Sequence, residues 1–254
     1  MAFAASSHFV PQRSSNRVMS EQGYDLVADH YDQWGWQHFW RENEFPIVLG
    51  LLIRAAPKLG VLDVGVGTGA FLSYALPCLN ADVPLAGIDV SAGMLKYARS
   101  RLGSRATLVQ GDVQNGLPFD DQSFDAIVMM RVANHLFNFD KAIAEVGRVL
   151  SPAGILIATD LAEEFEYDCT RIPASKITVS IETCKHLQLH WQRALIASEF
   201  SDPRFFRYGY SDLRDPFAGG LNHKWDRSGR PIFSSNYRIQ APHGCESHLT
   251  NLPA

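Results

Sequence analysis

The chain has 254 residues, of which 46% are hydrophobic and 20% charged, with a formal net charge of -4 at pH 7. That length suits one large domain able to bury a core without disulfides or metals. The acidic balance argues against a dedicated nucleic-acid binder, which carries a basic surplus, and no apolar run approaches the roughly 18 residues of a membrane span.

The four cysteines (Cys78, Cys169, Cys184 and Cys245) form no C-x-x-C pair. They read as free thiols of a reducing, cytoplasmic compartment. Residues 1–20 are rich in Ser and lack an acid before Glu21, and they read as a disordered tail or a short transit peptide. A single domain is expected over 21–240, with a helical lid at 21–58 and a cofactor-binding core at 60–160. A substrate-side helix, loops and a C-terminal hairpin follow over 161–240, and 241–254 reads as a second tail.

Within the lid, Phe45, Val48, Leu49, Leu52 and Ile53 recur at helical spacing, and Pro57 closes the segment. The period then changes. Val61–Val64 is a short apolar run suited to a buried strand, and residues 69–79 read as a helix. Strands are expected at 85–90, 106–110, 124–130 and 155–159. Helices are expected at 91–101, with Ser91 as N-cap, and at 141–150. Alternating strands and helices imply a parallel sheet covered on both faces. Past Asp160 the rhythm loosens to a helix over 187–200 and strand candidates at 205–208 and 232–239.

The central motif is Asp63-Val64-Gly65-Val66-Gly67-Thr68-Gly69. A strand turning sharply into a helix needs residues without Cβ, and small residues let a ligand approach the backbone. Gly65, Gly67 and Ala70 also satisfy a dinucleotide fingerprint, with Asp89 as its acidic partner about 20 residues on. An NAD(P)-dependent oxidoreductase is therefore a competing reading. Asp63 weighs against it, because a carboxylate there repels a pyrophosphate and suits a cofactor bearing ammonium and sulfonium groups. Asp89 suits the ribose hydroxyls of either cofactor. Asp112, at the end of the third strand, suits an adenine amino group, with an apolar neighbour on the ring.

The runs VLDVGVGTG, GIDVSAGMLKYAR, VQGDVQNGLPFDDQSFDAIV and EVGRVLSPAGILI, in that order over about residues 60–160, resemble the class I S-adenosylmethionine (SAM)-dependent methyltransferases of type 11. The resemblance implies a Rossmann-like α/β fold. Its sheet would be mostly parallel and seven-stranded with an antiparallel last strand, helices on both faces and an N-terminal helical lid. It implies cofactor contacts at Asp63, Gly65, Gly67, Asp89, Val90, Asp112 and Val113. The chain departs from the family pattern at Ala153 and Glu199, both in turns away from the expected cofactor. Residues 27–31 followed by Arg41 are similar to the lid of glycine N-methyltransferase-type enzymes, which implies Tyr31 and Arg41 at the amino-acid end of the cofactor, with Tyr24 as a further candidate. Arg131 is a candidate to pack its stem along the cofactor.

The implied reaction moves methyl from SAM to an O or N atom of a small-molecule acceptor, leaving S-adenosylhomocysteine (SAH). His135, after the fourth strand, and His186, before the late helix, are the candidate general bases. Asp160 lacks a convincing set of further ligands, so no metal is expected. A non-catalytic SAM-binding protein is the remaining alternative.

Overall fold

Five parallel strands form the centre: β1 (Val61–Val64), β2 (Leu85–Asp89), β3 (Thr107–Gln110), β4 (Phe124–Met130) and β5 (Leu150–Thr159). Their order is β3-β2-β1-β4-β5, and every pairing is parallel. The computed structural model describes residues 17–161, 168–174, 177–201 and 203–205. All four residues of β1 are buried, as a strand covered on both faces requires. Β5 starts earlier than its apolar run because Leu150 pairs with Phe124 before an irregularity over residues 151–154 restores register at Ala126–Ile155.

Helices cover both faces. On one, α6 (Phe139–Val149) buries Phe139, Ile143, Val146 and Val149, a stripe at helical spacing. These pack with Leu62, Ile127, Met129, Leu156 and Trp191 of α7 (Gln188–Ala197). On the other, α3 (Phe45–Ala55) and α4 (Ala70–Ala75) bury Phe45, Val48, Leu52 and Phe71 against Val61, Val128 and Ile157. Each such side chain contributes roughly 1.5–3 kcal/mol by leaving water. α5 (Ala92–Leu102) starts at Ser91, whose Oγ accepts from Met94 N at 3.0 Å.

The N-terminal segment forms α1 (Ser20–Val27) and α2 (Gly35–Asn43), which lead into α3. A tail reaching residue 20 needs correction. Val18 bridges Ile181, Arg17 pairs with Asp168 at 2.6 Å, and α1 opens at Ser20. Residues 1–16 and 241–254 lie outside the described residues.

No strand is expected from the sequence between Asp160 and the late helix, yet β6 (Cys169–Ala174) and β7 (Ile177–Glu182) form an antiparallel pair of their own. Ile172, Ala174, Val179 and Ile181 cluster with Val27 of α1, with Ala28 just after it and with Met94 of α5. Among the described residues the main sheet thus has five strands, not seven. The hairpin expected from 205–208 and 232–239 lies, apart from Phe205, outside them. No described helix is long and apolar enough to cross a membrane.

In this order the chain runs outward from β1 to β3 and then returns to place β4 on the other side of β1. The switch point between β1 and β4 opens a crevice at the carboxyl ends of the strands, where ligands bind in open α/β sheets.

Candidate active site

Gly65, Gly67 and Gly69 all hold positive φ, +74, +54 and +74°, a conformation that L side chains rarely adopt. At Gly65 a Cβ would also lie 2.2 Å from Val132 Cγ2. The absence of that carbon lets the segment after β4 close over the glycine loop.

Asp89 ends β2 beside this loop. Its Oδ2 accepts from Gly67 N at 2.8 Å and its Oδ1 from Ser91 N at 2.9 Å. Burial, aided by the charge of Asp25, still pushes its carboxyl up to about 6. Asp63, 3% exposed, is raised by burial and by the charge of Asp89. Two costly carboxylates at one loop favour a ligand that brings hydroxyl donors and positive charge, and they disfavour a pyrophosphate.

The cleft and its open mouth together span about 660 Å³. It is lined by Tyr31, Gly65, Gly67, Asp89 and Val90, and on its far side by Asp112, Val113, Arg131 and His135. Asp112 accepts from Gln114 N at 2.9 Å, which shapes the turn that buries Val113. A second cavity adjoins the first across the glycine loop. It shares Tyr31, Gly65, Gly67 and Arg131 with the cleft and adds Asp63. The structure therefore brings together ten of the twelve residues singled out from sequence, in two adjoining cavities.

Arg41 and His186 are not among them. Arg41 is exposed on α2 and lines neither cavity, because the helix turns Gln37, Trp40 and Glu44 inward. His186 is buried beside α6, stacked on Phe139 at 4.1 Å between ring centroids, with Nε2 3.0 Å from Leu136 O. Burial, with the nearby His190, pushes it down to about 4. His190 in turn meets Asp140 at 2.9 Å. This is an interhelical packing cluster.

Of the other lining residues, Tyr24 is the further lid candidate, whereas Glu44 and Gln114 are not singled out from sequence. Tyr24 OH lies 2.9 Å from His135 Nε2. The other ring nitrogen, Nδ1, lies 3.1 Å from Glu182 O and can only donate to that carbonyl. This fixes Nε2 as the acceptor of the Tyr24 proton. Burial pushes His135 down to about 4 and raises Tyr24 well above the ordinary phenol range. Glu44 is wholly buried and pairs with Arg131 Nε at 3.3 Å. Gln114 lines the Asp112 side. Arg131 itself holds φ +59°, which costs a non-glycine residue about 1–3 kcal/mol, and its guanidinium carbon sits 5.5 Å from the Trp40 ring centroid.

A family model described as a methyltransferase domain matches residues 62–158, the span that carries the glycine loop, Asp89, Asp112 and β4. Over this span the chain is similar to methyltransferase domains. The chain is 28% identical over 157 residues to phthiotriol/phenolphthiotriol dimycocerosates methyltransferase 1 of Mycobacterium ulcerans, covering 58% of this chain and 57% of that protein. It is 34% identical over 102 residues to demethylmenaquinone methyltransferase of Tropheryma whipplei, covering 40% and 41%. The chain spans about half the length of the curated relatives it matches. The DhpI–SAH complex shares the fold, with a TM-score of 0.58 at 16% identity over 87% of this chain and 95% of that one. The cofactor of this domain class is SAM, and the residues present fit it. The glycine turn permits close approach, Asp89 faces the cleft as a hydroxyl acceptor, and Asp63 offers negative charge to a cationic sulfur nucleoside.

Proposed function

We propose that the protein transfers a methyl group from SAM to an O or N atom of a small molecule. The observation that carries this reading is the Tyr24–His135–Glu182 chain opening into the same cleft as Asp89 and the glycine loop. When bound, SAM supplies a methyl group already activated by its sulfonium. The chain's own task is then to hold the acceptor in line and exclude water, and orientation of this kind is worth roughly 7–11 kcal/mol.

Tyr24 and Tyr31 project from the N-terminal segment into the cleft, so that segment serves as the lid. At pH 7 His135 is neutral and Tyr24 protonated. An acceptor hydroxyl or ammonium placed at Tyr24 Oη gives up its proton to the phenol as the phenol passes its own to His135 Nε2. Protons balance and no charge stays on Tyr24. The small-molecule class is supported by the relatives named above, whose names give phthiotriol/phenolphthiotriol dimycocerosates and demethylmenaquinone as what they act on. Net charge supports it too.

The test is incubation of the purified protein with methyl-labelled SAM and a metabolite extract, followed by mass spectrometry. Label on a low-molecular-mass product is the expected result, and label confined to polymers would overturn the acceptor class. An oxidoreductase would instead bind NADH in preference to SAH in a calorimetric titration, and a non-catalytic SAM-binding protein would bind SAH and label nothing.

A further inference from the structure

We propose that Glu44, together with Asp63, holds the ammonium of the cofactor's amino-acid end, and that Arg131 takes its carboxylate. The proposal rests on the methyltransferase reading, adds a residue from the α2–α3 junction, and gives Arg131 the carboxylate that the sequence had assigned to Arg41.

Glu44 is 0% exposed and lines the second cavity with Asp63, Gln37 and Trp40. Its Oε2 meets Arg131 Nε, but its Oε1 has no hydrogen-bond partner among the described residues. A buried carboxylate oxygen left without a donor is expensive, so a group from outside the described residues is expected to supply one. The donor that fits is a cation. Asp63 and Trp40 line the same cavity, and among the described residues the one basic side chain lining it is Arg131. A free anion would meet two carboxylates there, and a second guanidinium would duplicate Arg131. A zwitterion meets an acid at one end and Arg131 at the other. The cavity shares Gly65 and Gly67 with the nucleoside cleft, so one molecule can place its adenosine on Asp89 and its amino acid on Glu44.

The test is calorimetric binding of three probes: SAH, 5′-methylthioadenosine, which lacks the amino-acid end, and S-adenosyl-4-thiobutyrate, which lacks only the ammonium. Glu44→Gln should weaken SAH at least about tenfold and leave methylthioadenosine within about twofold. Equal loss for both, or no loss for either, would overturn the proposal. Should Glu44→Gln not fold, the wild type alone decides. It should bind the thiobutyrate at least about tenfold more weakly than SAH, and equal affinity would overturn the proposal. Failure of the wild type to bind any of the three removes the cofactor reading itself, an outcome distinct from both.

Discussion

Single atoms decide two features of the cleft. The phenol of Tyr24 donates to a histidine that burial keeps neutral, so replacing it removes the proposed proton path while sparing the ring. Tyr24→Phe should lower kcat by about 10²–10⁴ if the acceptor must lose a proton, with SAH affinity changed by less than about threefold. Steady-state rates and calorimetry on the same variant read both. Because His135 titrates near 4, kcat at saturating cofactor should show no acid limb near 6.5, the ordinary histidine value. Gly65 is the other case. Gly65→Ala adds a carbon at 2.2 Å from Val132 Cγ2 in a left-handed conformation. A loss of about 1–3 kcal/mol in stability is expected, partly restored by Val132→Ala. Urea melts of the single and double variants measure it, and independent, additive losses would contradict the contact.

At the scale of elements, the N-terminal segment is tied to the cofactor-binding half by two carboxylates. Asp25 of α1 accepts from Ser91 Oγ at 2.6 Å and Gly93 N at 2.8 Å, at the start of α5. Asp32 accepts from Thr68 Oγ1 at 2.7 Å and pairs with Arg101. Asp25→Ala should cost about 0.5–2 kcal/mol, as loss of a helix cap does, and should speed hydrogen exchange across α1 more than in β1. The effects of Asp25→Ala and Ser91→Ala should be less than additive. Such ties are invisible in sequence because they join residues 36 to 69 apart. What was legible was local. β1 and β4 match their apolar runs to the residue, and Ser91 caps α5 as its position suggests. The β6–β7 hairpin was hidden by Pro173, which argues against a strand, and by its inward stripe of Ile172, Val179 and Ile181 being completed only when α1 packs on it. Arg41 and His186 share one cause. Motif spacing places a residue on a helix or loop, whereas burial decides which way it points, and α2 turns Glu44 inward and leaves Arg41 in water.

For the molecule as a whole, the buried ionisable groups divide into two sets with opposite pH dependence. Asp89 at about 6 and Asp160 at about 7 lie above the ordinary carboxyl value of 3.8. Their contribution to stability is complete below about 4 and is lost as pH rises through 6 to 7. His135 and His186 at about 4 lie below the ordinary 6.5. Their contribution is present above 6.5 and is lost as pH falls through 4. Between those limits the sets oppose each other, but Asp63, also raised by burial, joins the carboxylates, so the ligand-free melting temperature should fall modestly from pH 4.5 to 6.5. A ribose that donates two hydroxyls to Asp89 stabilises the ionised carboxylate and removes one member of the first set. SAH affinity should therefore be constant above pH 7 and fall by roughly tenfold per unit below about 6. The thermal shift produced by a fixed SAH concentration should follow, large at pH 7.5 and much smaller at pH 5. Asp89→Asn, which cannot ionise, should bind weakly at every pH and show no such slope. A wild-type shift that is the same at pH 5 and pH 7.5 would mean that the nucleoside does not rest on Asp89.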